Sequence, residues 1–165
     1  SRVAVGGESA GGGLAAGLAQ RLRDNGGQQP AGQLLVYPML DDRTAADRTL
    51  DRERHPVWNN RSNLMGWSSY LGQQPGGAVA PAYAVPARRD DLSGLPPAWI
   101  GVGSADLFLH ECRSYGHRLR DAGVPTQMLE VAGAPHGFDA TQRPAPSQRF
   151  RAAQMAWLSD LVGLA

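Results

Sequence analysis

Lysine is absent from the 165 residues; all 16 basic side chains are Arg. A P-loop lysine and a Schiff-base lysine are therefore excluded. Cysteine is nearly absent too. The single Cys112 can form neither an internal disulfide nor a multi-cysteine zinc site, and no metal is expected. No run approaches the ~20 apolar residues that span a bilayer, so no integral membrane segment is expected. Basic and acidic side chains nearly cancel, 16 against 15. That balance points to neither nucleic acid nor an anionic membrane as partner. No basic leader or apolar signal core opens the chain, and a cytoplasmic location is favoured. The chain begins Ser1-Arg2-Val3-Ala4-Val5, with no Met and almost directly in a β-branched run, so further residues upstream are expected.

What is present suits a packed core: 42% of the residues are hydrophobic. Four short apolar runs, residues 2–5, 33–39, 98–102 and 126–131, read as buried strands. Helical patterns separate them. Leu14, Leu18 and Leu22 recur every four residues, and Asn25-Gly26-Gly27 supplies a stop. Residues 110–122 read as a helix ended by Gly123 and Pro125. In residues 147–163, Phe150, Ala153, Trp157 and Leu161 form one stripe, with Ser147 as the expected N-cap. The rhythm predicts an α/β fold, a mostly parallel sheet with helices on both faces. Residues 43–72 break it. Acids and arginines alternate there, followed by Trp58, Leu64, Met65, Trp67, Tyr70 and Leu71. The stretch is too long for an ordinary crossover and predicts a partly helical insertion over one end of the sheet.

The most informative segment is Gly7-Glu8-Ser9-Ala10-Gly11-Gly12, directly after a strand and directly before a helix. A serine on so tight a turn takes a strained backbone and projects its hydroxyl above the sheet. The residues two before and two after it are expected to crowd each other, so that both must be small. The helix behind it offers unpaired N–H groups to a developing oxyanion. In a chain with 21 Gly, the Gly7-x-Ser9-x-Gly11 spacing alone is weakly specific. Its placement between strand and helix carries the inference. The plainer alternative is a glycine-rich turn with a capping serine. An overlapping Gly11-x-Gly13-x-x-Ala16 pattern fits a relaxed dinucleotide fingerprint, but Gly11 lies six residues past Val5, inside the helix, and Tyr37-Pro38 stands where a ribose-binding acid belongs.

A serine hydroxyl needs a base, and the base an orienting group. Of the four histidines, His136 lies in a loop after the fourth strand, where such sheets carry functional groups. His55 sits in the charged insertion, and His110 and His117 share one helix face. Asp106 follows the third strand and is the preferred acid, with Asp41 and Asp42 as competitors and helix capping as its plainer role. Asp139 reads as a local turn residue.

At this point the residues resemble the hormone-sensitive-lipase-like family of α/β-hydrolases. The resemblance rests on Gly7-Glu8-Ser9-Ala10-Gly11-Gly12, on Leu35-Val36-Tyr37-Pro38-Met39-Leu40-Asp41, and on Gly103-Ser104-Ala105-Asp106-Leu107 with Glu111 at a recurrent acidic position. Ala122-Gly123-Val124-Pro125 and His136-Gly137-Phe138 complete the series in order. It implies an incomplete α/β-hydrolase fold lacking the N-terminal strands, with residues 1–165 as a C-terminal catalytic portion and 43–72 as a cap-like insertion. It implies Ser9 as nucleophile, Asp106 as acid, His136 as base, a small-molecule carboxylic ester with short to medium acyl chains as substrate, and no cofactor. The family's upstream His-Gly-Gly-Gly segment has no counterpart here, which leaves the Ala10 N–H as the expected oxyanion donor and predicts an impaired isolated fragment. Trp58, Met65, Trp67 and Tyr70 are candidates for a substrate pocket. The rival reading is a non-catalytic small-ligand-binding protein on the same scaffold, against which the presence of His136 weighs. A homo-oligomer is left open.

Overall fold

A computed structural model describes residues 3–140 and 145–163. Its centre is a four-stranded sheet, β1 (Val5–Glu8), β2 (Gln33–Val36), β3 (Ala98–Gly103) and β4 (Thr126–Val131), in the order β1-β2-β3-β4. All three pairings are parallel. Each of the three crossovers carries helix, α1 (Ala10–Asp24) after β1, α2 (Asp42–Ala46) and α3 (Asn60–Leu71) after β2, and α4 (Leu109–Asp121) after β3, and α5 (Ala145–Val162) follows β4. Every residue of β3 is buried, as expected of a central parallel strand covered on both faces. The Gly116 backbone of α4 comes close to Ile100, while Phe150 of α5 packs against Trp99 and Gly101. Successive strand residues point to opposite faces, so α4 and α5 cover opposite sides. Gln20 of α1 donates to the Tyr115 hydroxyl of α4 (3.2 Å), which puts α1 on the α4 side.

The strand and helix order agrees with the sequence expectation; several boundaries and faces do not. The first strand, expected at 2–5, runs through Val5–Glu8, because the ladder with β2 continues across the two glycines; Arg2 lies outside the described residues. The second strand, expected at 33–39, stops at Val36, where Tyr37 turns the chain with a φ of 34°. Helix α1 buries Gly12, Gly13, Ala15, Ala16, Ala19 and Gln20, whereas Leu14 and Leu18 are exposed. Its buried face is the small-residue face, because backbone must approach there: a Cβ on Gly13 would stand 2.1 Å from the Met39 carbonyl oxygen. Helix α4 begins at Leu109 and ends where Gly123, with a φ of 78°, lets its N–H reach back to the Arg120 carbonyl. Ser147 is not the cap of α5. It lies inside the helix, and its hydroxyl donates to the Phe138 carbonyl (3.1 Å).

Residues 43–72 contain most of α2, a 3-10 turn at Arg48–Arg52 and α3. Asn59 caps α3 by accepting from the Ser62 N–H, and Gly72 ends it in the left-handed conformation. Asp42, buried at the start of α2, accepts two bonds from Arg88 (2.7 and 2.9 Å) and one from the Gly76 N–H (2.7 Å). That ion pair ties the long segment after α3 back to the sheet.

The crowding expected of both elbow glycines is one-sided. A Cβ on Gly7 would stand 2.3 Å from the Gly11 carbonyl atoms, while one on Gly11 meets nothing within 4 Å. Gly7→Ala should therefore destabilise the protein by about 1–3 kcal/mol or more through overpacking. Gly11→Ala should be neutral or stabilising by up to about 1 kcal/mol, as a helix residue relieved of glycine's flexibility. Thermal melts of the two variants check this.

Candidate active site

Strand β1 delivers Ser9 into a turn with φ 54° and ψ −120°, a region that residues with a Cβ rarely occupy. Three backbone bonds hold the peptide there. The Ser9 N–H donates to Val36 (2.9 Å), and the Ser9 carbonyl accepts from Gly13 (3.2 Å) and Met39 (3.0 Å). The strain is thus matched by bonds from the neighbouring strand and the following helix.

Beyond β3, Asp106 is fixed by accepting the Phe108 N–H on Oδ1 (3.0 Å). Capping and a second role coincide in this one carboxylate, since its Oδ2 lies 2.8 Å from His136 Nδ1. The loop after β4 that carries His136 lies directly against the loop after β3. Ala105 N–H donates to the Ala134 carbonyl (3.0 Å), Gly133 N–H donates to Ser104 Oγ (2.7 Å), and a Cβ on Gly103 would stand 2.0 Å from that Ala134 oxygen. Only glycine at the end of β3 allows this approach. His136 Nε2 then reaches Ser9 Oγ at 2.9 Å. The imidazole is buried and enclosed by aromatic edges, with ring centroids 4.7 Å from Tyr37 and 5.2 Å from Phe108. Ser9, His136 and Asp106 therefore form one hydrogen-bonded line across three loops at the carboxyl ends of the strands.

The other candidates stand apart from this line. Asp41 caps α2 and pairs with Arg43, and Asp42 pairs with Arg88. His55 faces Glu53, and His110 and His117 are exposed. Among the described residues no cluster of three or more His, Cys, Asp or Glu is placed to hold a metal ion, and no helix is long and apolar enough to cross a membrane.

Beside Ser9 opens an apolar cavity of about 180 Å³ whose wall includes Ala10, Leu14, Met39, Trp58, Trp67 and Tyr70. Of the residues expected for a pocket, Trp58, Trp67 and Tyr70 lie in its wall. Met65 does not: it is 66% exposed, and its neighbour Gly66 faces the cavity instead. Helical geometry explains the swap, because Gly66, Trp67 and Tyr70 share one side of α3 and Met65 turns outward. Ala10 opens α1, so its N–H has no acceptor within the helix and borders the same space.

Two residues next to His136 escaped the sequence reading. The Tyr37 hydroxyl bonds Asp139 Oδ1 (2.9 Å) and Glu8 Oε2 (3.3 Å). No sequence spacing links positions 37 and 139. Glu111 is a third. Its buried carboxyl takes bonds from the Leu40 N–H (2.7 Å), the Asp41 N–H (3.3 Å) and the Thr44 hydroxyl, linking α4 to the turn after β2.

The alpha/beta hydrolase fold family profile matches residues 1–140, and the chain belongs to that family. It is 33% identical over 137 residues to the esterase LipI of Mycobacterium tuberculosis, covering 83% of this chain and 42% of LipI. Its fold is similar to that of the esterase LipW from Mycobacterium marinum, with a TM-score of 0.85 and 38% identity over 96% of this chain and 49% of LipW. A similar match links it to an esterase from the bacterial hormone-sensitive lipase family, with a TM-score of 0.82 and 28% identity over 98% of this chain and 54% of the other. The chain thus spans about half the length of these relatives.

Burial pushes the Glu111 carboxyl up to about 8, against the opposing pull of its hydrogen-bond donors. In the unfolded chain it titrates near the ordinary value of 4.5, so between about pH 4.5 and 8 the folded state holds the extra proton. Its contribution to stability then falls as pH rises, by up to about 1.4 kcal/mol per unit, until the cost is complete above 8. Glu111→Gln, which keeps an acceptor for the two N–H groups and sets an amide N–H against the Thr44 oxygen, whose hydroxyl then turns to accept, should flatten that slope. Urea melts from pH 5 to 8.5 should show the variant gaining on the parent as pH rises.

Proposed function

We propose that this chain is the catalytic part of a serine carboxylesterase that cleaves esters with short to medium acyl chains. The observation that carries the reading is the Ser9–His136–Asp106 line, 2.9 and 2.8 Å long, at the mouth of an apolar cavity. The family membership and the names of its relatives agree with it.

In this mechanism His136 Nε2 accepts the Ser9 proton as Oγ attacks the ester carbonyl. Nδ1–H donates to Asp106 Oδ2, which holds the imidazole in the tautomer that leaves Nε2 free and stabilises the imidazolium that forms. The tetrahedral oxyanion takes the Ala10 N–H at the positive end of α1. The alcohol departs with the proton from His136, leaving acyl-Ser9. Water deprotonated by His136 then attacks the acyl carbon, and the acid is released.

Trp58, Trp67 and Tyr70 make residues 43–72 a cap whose inner wall receives the apolar part of the substrate. The small cavity, below the ~300–1,000 Å³ usual for ligand sites, favours a short chain. Residues 1–165 supply one firm oxyanion donor. Loss of a single donor costs ~10²–10³ in rate, so the polypeptide of these residues alone should turn over slowly by that order.

Hydrolysis of p-nitrophenyl acetate and butyrate is the test. Ser9→Ala and His136→Ala should each lower kcat at least ~10³-fold, and Asp106→Asn by ~10⁴-fold, with melting temperatures close to the parent's. Retention of turnover by Ser9→Ala would remove the assignment.

A further inference from the structure

We propose that Tyr37 is a positioning residue whose hydroxyl sets the distance between Ser9 and His136, with Glu8 and Asp139 as its two anchors; the inference rests on the esterase reading above. Glu8 immediately precedes Ser9, and Asp139 follows His136 by three residues. The Tyr37 oxygen lies 2.9 Å from Asp139 Oδ1 and 3.3 Å from Glu8 Oε2. The single phenolic proton goes chiefly to Asp139, the nearer oxygen, with Glu8 as the weaker second acceptor, so one phenol touches both segments that flank the 2.9 Å Ser9–His136 contact.

The side chain is held for this task. Tyr37 leaves β2 with a φ of 34°, a conformation that costs free energy and persists only where the surroundings impose it. Its N–H donates to the Gly101 carbonyl at 2.6 Å, which keeps it on the sheet while the ring turns inward and packs its edge on the His136 ring. Burial and the two neighbouring carboxylates push the phenol well above its ordinary value. The hydroxyl is thereby kept protonated as a donor.

Asp139 depends on that donor. It is 1% exposed, and its second carboxylate oxygen makes only a 3.5 Å ion pair with Arg151. The Arg151 guanidinium mainly serves the Asp139 backbone carbonyl, at 2.7 and 3.3 Å. Removing the Tyr37 hydroxyl leaves a buried carboxylate short of a hydrogen bond, a state that drives the group toward water. The segment that would move is the His136 loop. Tyr37 does not line the cavity beside Ser9, so substrate binding should be spared.

Tyr37→Phe should lower kcat by about 10–100-fold, the range expected for a reacting group misplaced by up to ~1 Å, with KM within twofold of the parent. Asp139→Ala should match it. Asp139→Asn, which keeps an acceptor for the phenol and relieves the buried charge, should retain at least about half of the parent kcat. The double variant Tyr37→Phe/Asp139→Ala should be no worse than either single one, since both break the same link. Rates are counted per serine labelled by a fluorophosphonate, so that misfolded molecules do not enter. Independently of turnover, the proton NMR signal of His136 Nδ1–H should broaden or shift in Tyr37→Phe and return in Asp139→Asn.

Parent-like kcat and an unmoved His136 signal in Tyr37→Phe would overturn the inference. So would equal losses in Asp139→Asn and Asp139→Ala, which would mark the pair as mere packing. A parent protein that neither turns over esters nor labels at Ser9 would instead sink the esterase reading, and the His136 signal would still decide the role of Tyr37.

Discussion

The turn at Ser9 is the constraint on which the site depends. A residue with a Cβ sits at φ 54° because the Val36 carbonyl and the Gly13 and Met39 N–H groups all bond its peptide. Those bonds exist because β1 and β2 run parallel in register and because α1 starts without side chains that would keep it away from Pro38 and Met39. Move any of these and the hydroxyl leaves the rim. The glycine run is therefore a packing requirement of two close backbone approaches, not simply a source of flexibility.

The base reaches that hydroxyl by a second set of close contacts. Gly103 lets the loop after β4 lie against the loop after β3, so Asp106 and His136 are brought together by neighbouring parallel strands. The carboxyl ends of such strands are where α/β sheets collect functional groups. Aromatic packing then limits where the imidazole can go. Phe138 of the same loop stacks edge-on against Phe150 of α5, with centroids 4.8 Å apart, and Tyr37 and Phe108 flank the ring. Helix α5 thus acts on the site from the far side of the sheet through one phenylalanine.

Much of this was legible before any coordinates. Strand and helix order followed from short β-branched runs separated by apolar periodicity, and Thr126–Val131 matched to the residue. Ser9, Asp106 and His136 stood out because each follows a strand at the end where loops gather. Two kinds of feature were hidden. The buried side of α1 was obscured because leucine marks a core face in most helices, whereas here close backbone packing selects glycine and alanine and leaves Leu14 and Leu18 outside. The bridge from Tyr37 to Asp139 was hidden because it joins residues 102 apart in sequence through a positive-φ turn that no local pattern announces. Met65 was misjudged for a simpler reason: an apolar band on a short helix has two sides, and only one meets the cavity.

The central claim is that Ser9 Oγ becomes covalently acylated through His136. The most direct measurement is acid quench of the protein during turnover of p-nitrophenyl butyrate, followed by peptide mapping by mass spectrometry. A butyryl group on the peptide containing Ser9, absent when His136 is replaced by Ala, is the predicted result. Ester hydrolysis with no adduct on that peptide, or with the adduct on another side chain, would contradict the account.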